Sequence, residues 1–182
     1  LPKAGEMMRF GKPAPWETCQ TFSGSWGYHR DQTGWKTPRQ CVELLVRAVS
    51  SGGNLIMNVG PTGRGNFDGR ACARLDAYAK WMQDNSRSIY GCTAAPEEFG
   101  IPGNLLLTYN ADRRRVYLHM LDYSTKVELP FADRVEYAQL LNDQSEVEIK
   151  QGALLLPPTP PSEIIPVVEL ILKSPVGRKA AK

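Results

Sequence analysis

The apolar positions of this chain change period about half-way along. Between residues 37 and 53 they recur at Cys41, Val42, Leu45, Ala48 and Val49, one stripe of a 3.6-residue repeat. Thr37 supplies an N-cap, Pro38 suits the first helical position, Gln40 completes a capping box, and Gly52 and Gly53 offer a left-handed stop. A helix is therefore predicted here. The next run, NLIMNVG at 54–60, is almost wholly apolar and bounded by glycines, which predicts a parallel-sheet strand covered on both faces by helices. A second helix is expected to open at Asp68, whose carboxylate can cap the first turn, and to bury Ala71, Cys72, Leu75, Tyr78, Ala79 and Met82 before ending near 85–91. Its Trp81 reads as core or as partly exposed surface. Ahead of the first helix, 16–22 alternates like a short strand, and 23–36 is a loop carrying Trp26, Tyr28, His29, Arg30 and Trp35. Strand, aromatic loop, capped helix, buried strand and Gly-rich loop form the grammar of a βα unit with a site at its strand ends.

Beyond residue 94 short β-rich runs separated by Asn, Asp, Pro and Gly replace the helical period. Strands are predicted at 105–109, 116–121, 126–129, 135–140, 146–149 and 167–172, and six short strands suggest a β-sandwich. PPTPPSEIIP reads as a stiff crossover before the last strand, and SPVGRKAAK as a frayed tail. The opening LPKAGEMMRFGKPAP has no initiator Met, no apolar signal region and no strand-like run, so it is expected to be a loop entered from upstream in a longer protein.

Composition narrows the class. With 42% hydrophobic and 23% charged residues the chain is of globular type, and no apolar run approaches the roughly 20 residues needed to span a bilayer, so no membrane partner is expected. A formal net charge of +3 is too small to call for a polyanionic partner, and the one basic run, Arg113 to Arg115, reads as an exposed hairpin turn rather than a nucleic-acid groove. Cys19, Cys41, Cys72 and Cys92 contain no CxxC pair, which argues against a zinc site or a small disulfide scaffold. GPTGRG lacks the GKS or GKT ending of a phosphate loop. No N-x-S/T sequon is present, and the residues leave the compartment open.

Several blocks together resemble a known family. WETCQTF, SWGYHRD, the WKTP helix start, VSSGGNLIMNVGPTGRG and RLDAYAKWMQDNSRSIYG closely resemble the second half of the family 29 glycoside hydrolases, the retaining α-L-fucosidases. They run in the family's order and cover about the first half of the chain, with a weaker β-rich match over the rest. The resemblance implies an α/β plus β architecture: the final βα units of a (β/α)8-like catalytic barrel over 1–93, followed by a C-terminal antiparallel β-sandwich over 94–182. It implies terminal α-L-fucosyl residues of glycans or glycoconjugates as substrate and no metal or cofactor. A secreted, periplasmic or lysosomal setting accompanies it. The partner of an incomplete barrel would be the N-terminal barrel segment or another chain, because open strand edges and apolar strand faces need covering.

Retaining glycosidases use two carboxyl groups, one attacking the anomeric carbon and one donating and later accepting a proton. By resemblance the nucleophile is an Asp on an earlier barrel strand, and a histidine pair that binds fucose hydroxyls is also upstream. Glu6 is the first candidate for general acid/base, because it is the carboxylate ahead of the Trp-Glu block, where the family carries this group. Glu17 is the second: at the C-terminal end of a barrel strand it would be partly desolvated and its pKa raised. Trp26 matches the aromatic position that packs on the apolar face and C5 methyl of fucose, with Trp16 and Tyr28 as further substrate-contact candidates. His29 and Arg30 read as structural, Asn58 as holding neighbouring backbone, and His119 as unrelated to catalysis. A non-catalytic carbohydrate-binding or interaction segment is the alternative reading.

Overall fold

In the computed structural model, residues 1–2, 6–100 and 104–176 are described. In chain order the elements are strands β1 (Met8–Arg9), β2 (Lys12–Pro13) and β3 (Glu17–Thr21), helix α1 (Pro38–Ser50), β4 (Asn54–Asn58), helix α2 (Gly69–Asn85), and then β5 (Thr93–Ala94), β6 (Leu105–Asn110), β7 (Arg115–Met120), β8 (Lys126–Glu128), β9 (Val135–Leu140), β10 (Glu148–Lys150), β11 (Ala153–Leu155) and β12 (Val167–Leu172). The opening segment departs from the expected loop, since β1 and β2 pair as a small antiparallel hairpin. Its turn carries Phe10 and Gly11 at positive φ.

Helix α1 starts as its sequence dictates. The Thr37 hydroxyl accepts from the Gln40 backbone N–H, and the Gln40 side chain accepts from the Thr37 N–H. Such a cap is worth about 1 kcal/mol. Its buried set differs from the single predicted stripe: Val46 is fully buried, whereas Leu45 is only partly so. The reason is that α1 is covered on two sides. One side lies on β4, and Val42, Val46 and Val49, spaced for one helical face, enter a second cluster with Trp81, Tyr117, Ile165 and Val167.

Strands β3 and β4 pair in parallel, Glu17 opposite Asn54 through Thr21 opposite Asn58, with α1 as the crossover. The expectation that β4 is covered on both faces is corrected. Cys19 and Ile56 are register partners and both are exposed, Ile56 at 44%, because α1 shields one face and no described residue shields the other. Gly53 stands at the start of β4 for a packing reason: a Cβ there would lie 2.3 Å from the Trp16 indole. It is Gly52, at φ +80°, that supplies the left-handed stop.

The β-rich half forms two antiparallel sheets, one ordered β5-β6-β7-β12-β9 and one β10-β11-β8. Five of the six predicted strands occur within a residue at each end, while Glu146 makes only an isolated bridge to Gln139 ahead of β10. Period-two alternation decides what each face does. Leu107, Leu118 and Leu170 of the larger sheet meet Val127 and Leu154 of the smaller one in the sandwich core, and the alternate Tyr117 and Val167 turn to the helices. Trp81, buried, donates its indole N–H to the Ile165 carbonyl at 2.9 Å, and Arg39 of α1 donates to the carbonyls of Ile164 and Leu121. On α2 the prediction erred at Ala79, which is exposed; Trp81 takes the core position because the sandwich lies on that side.

On the same helix-facing side His119 is fully buried. The Thr108 hydroxyl donates to the Ser88 carbonyl at 2.6 Å, so its oxygen accepts from His119 Nε2–H at 3.1 Å, and Nδ1 is left without a partner among the described residues. A second proton would create a buried charge with an unpaired donor, and burial pushes this pKa down from 6.5 to about 3. Above pH 6.5 neither folded nor unfolded chain binds the proton. Between 6.5 and 3 only the unfolded chain does, so stability is lost as pH falls. Denaturant titrations at pH 7 and pH 5 should show a loss of about 1.4 kcal/mol per pH unit below 6.5 from this residue. His119→Leu should flatten that slope; an unaltered slope would assign it elsewhere. Gly53→Ala should lower unfolding free energy by about 1–3 kcal/mol through overpacking against Trp16, and Trp16→Ala should relieve the clash.

Candidate functional site

The register partners Thr21 and Asn58 end β3 and β4, and the aromatic loop 22–36 closes over them. The loop is tied at its base by the Lys36 N–H, which donates to the Phe22 carbonyl at 2.8 Å, and by Lys36 Nζ, which donates to the Thr21 carbonyl at 2.6 Å. Phe22 is buried beside the Tyr78 ring at 6.1 Å. Asn58 Nδ2 donates to the Trp26 carbonyl at 2.6 Å, the backbone-holding role expected of it. Gly60 brings the second loop against the first, since a Cβ there would sit 2.5 Å from the Tyr28 nitrogen.

The other end of the loop is clamped by α2. Arg70 chelates its own helix cap Asp68 at 2.8 and 2.9 Å while donating to the carbonyls of Gln32 at 2.8 Å and Arg30 at 3.0 Å. The hydrogen bonds from Arg70 hold the Asp68 carboxyl at about 2, below the usual carboxylate range. Trp35 donates its indole N–H to Gln32 O at 2.9 Å and lies under two guanidiniums, Arg70 at 4.8 Å and Arg74 at 5.3 Å. Arg74 also donates to the Lys36 carbonyl. Each guanidinium thus works as a planar fork plus a cation over an aromatic face.

What results is a slot lined by Ser25, Tyr28, His29, Gln32 and Asn58, enclosing about 20 Å³, room for about one water. Trp26 and Tyr28 stand beside it 59% and 39% exposed, apolar surface without a cover among the described residues. Trp16 is not brought to this rim, because its indole packs on Gly53 at the opposite end of the strand pair. Glu17 is likewise corrected in position: it opens β3 instead of closing it, about 13 Å from the Thr21 end at strand rise, and is exposed, so the desolvation expected there is not met. Glu6 lies exposed in the turn ahead of β1. Arg70 and Arg74, which organise the loop, were not anticipated from sequence; the signal was only their spacing of four on the helix face after Asp68.

Comparison with known proteins points to one family. The α-L-fucosidase family pattern matches residues 4–87. Isoenzyme 1 α-L-fucosidase from Paenibacillus thiaminolyticus superposes with a TM-score of 0.86 at 35% identity, over 96% of this chain and 44% of that one. Over this part of their length, the chain is similar to the α-L-fucosidases of glycoside hydrolase family 29. A family 29 α-L-fucosidase from Bacteroides thetaiotaomicron superposes with a TM-score of 0.73 at 28% identity, over 88% and 38% of the two chains. Human plasma α-L-fucosidase is 32% identical over 121 residues, 64% of this chain and 26% of the human one. The chain therefore spans about a quarter of that relative and under half of the solved structures.

Arg70→Ala should loosen the loop while leaving α1 and the sandwich intact. The Gln32 and Trp35 amides should exchange with solvent about tenfold faster, as expected for loss of two hydrogen bonds and a cation–π contact, and Arg70→Lys should not restore protection. Unchanged exchange in Arg70→Ala would remove the clamp from this account.

Proposed function

We propose that this chain is part of a retaining α-L-fucosidase that removes terminal α-L-fucosyl residues from glycans or glycoconjugates. The observation that carries the reading is the superposition of almost the whole chain on a fucosidase at 35% identity. A covalent intermediate was trapped with 2-fluoro-fucosyl fluoride in the related Bacteroides thetaiotaomicron enzyme, and a covalent intermediate is the mark of a retaining glycosidase.

In this reading residues 1–93 are the last βα units of a (β/α)8-like barrel and 94–182 the sandwich. Two parallel strands with a helix on one face and the other face bare, as at Cys19 and Ile56, suit one slice of such a barrel, whose strands turn their inner side chains toward one another. The aromatic loop stands at the C-terminal ends of those strands, where barrel enzymes build their sites. Trp26 and Tyr28 form an aromatic wall for the apolar face of the deoxysugar. Glu6 is the proton donor to the leaving oxygen and then the base for water. The attacking Asp comes from barrel strands outside these residues, either a preceding segment or another chain.

A fluorogenic α-L-fucoside separates the possibilities. The 182-residue chain alone should give no turnover, and adding the barrel segment that carries the nucleophile should restore it. Turnover by the isolated chain would overturn the assignment of the nucleophile elsewhere. In the complete enzyme Glu6→Gln should lower kcat on poor leaving groups by about 10²–10⁴-fold and spare activated aryl fucosides. Full retention of activity in Glu6→Gln would move the acid/base to another carboxylate.

A further inference from the structure

A second cavity, about 360 Å³, lies where the segment after α2 meets the sandwich, remote in sequence from the aromatic loop and lined by Arg87, Arg113, Tyr90, Tyr117, Asn110 and Ser86. No carboxylate lines it. The buried Glu169 has its oxygens 3.3 Å from Arg87 and 3.4 Å from Arg115, with Gln139 Nε2 donating at 2.6 Å. One carboxylate is thus shared by two guanidiniums, and Arg113 adds a third positive charge. Of the arginine triplet, Arg114 donates to the Lys173 carbonyl and Arg115 to the Arg113 carbonyl besides its contact with Glu169. The Arg113 guanidinium makes no hydrogen bond or ion pair among the described residues. The Arg113 backbone N–H donates to Asn110 Oδ1 at 3.1 Å, which leaves the buried Asn110 amide with Nδ2 as a donor beside Gly91. Asp112 lines the neighbouring cavity instead. Tyr90, 72% exposed, presents an aromatic ring at the mouth.

Guanidinium forks match the oxygens of carboxylates and sulfate esters, and an exposed tyrosine ring suits the C–H face of a sugar. We propose that this cavity binds an acidic sugar residue, a carboxylated or sulfated unit of a glycan, with Arg113 and Arg87 on the oxyanion, Asn110 on a neighbouring oxygen and Tyr90 under the ring. The inference does not rest on the fucosidase reading, because it concerns sugars without fucose and a cavity that shares no lining residue with the aromatic loop.

Calorimetric titration of the 182-residue chain with lactose 3′-sulfate, 3′-sialyllactose and lactose tests it. Both acidic sugars should bind, lactose at least about tenfold more weakly, and affinity should fall with added salt as expected for exposed charges. Arg113→Ala and Tyr90→Ala should each weaken binding at least about fivefold, while melting curves confirm an intact fold; neither side chain makes a packing or ionic contact that the fold requires. Arg113→Lys should restore only part of the affinity, since the fork is lost. Arg134→Ala, which removes a surface ion pair with Glu98 elsewhere, should leave binding unchanged. Equal affinity for lactose and its sulfate, unaltered binding by Arg113→Ala, or sodium sulfate binding as tightly as lactose 3′-sulfate would each overturn the proposal.

Discussion

Everything in this chain depends on α1 being buried from two directions. A helix that served only the parallel strand pair would need one stripe, and Cys41 and Ala48 would suffice. Val42 and Val46, each fully buried, extend that stripe until it also meets Tyr117, Ile165 and Val167 of the sandwich half. The strands β3 and β4 make too small a sheet to be stable alone, so the helix that crosses between them borrows its second wall from the five-stranded sheet. Arg39, bonding to carbonyls on either side of that wall, and the Trp81 indole on Ile165 add direction to a contact that burial alone leaves free to slide. One cluster of side chains therefore crosses the point near residue 93 at which the sequence changes period.

That two-sidedness also explains which features were legible. The capping box of Thr37, Pro38 and Gln40, the Asp68 cap and the β-rich runs of β6, β7, β9 and β12 depend on neighbours in sequence, and local chemistry writes them plainly. Ala79 against Trp81 was misread because the choice depends on where the sandwich lies, which periodicity cannot know. β11, within ALLL, has no alternation to reveal it, being flanked by β10 and β8. Ile56 looked like a residue covered on both faces because an apolar run records what a strand can bury, not what is present to cover it.

At the candidate site the legible part was the aromatic inventory, and the illegible part was its geometry. Trp26, Tyr28 and Asn58 do gather at the strand ends, since they sit on or just beyond β3 and β4. Trp16 and Glu17 are adjacent to the same block in sequence but belong to the other end of the strand, and only the register Glu17 opposite Asn54 tells the two ends apart. The Arg70 and Arg74 clamp reaches across about forty residues of chain and has no local signature, because the two guanidiniums meet the loop through the carbonyls of Arg30, Gln32 and Lys36, groups that every residue has.

The slot beneath the aromatic loop is small. A volume near 20 Å³ cannot hold a monosaccharide, yet the loop around it is fixed by a cap, two guanidiniums, an indole and a close glycine contact. Order of this kind in a solvent-facing loop costs conformational entropy, and a loop serving no surface would be under no such constraint. Its exposed aromatics point instead to a wall that needs an opposing face, as the bare side of Cys19 and Ile56 needs further strands. Both deficits lie on the parallel pair and neither on the sandwich, whose two sheets enclose their own core. In the proposed reading the strand pair is one side of a larger site, held by the clamp and anchored to the sandwich through α1.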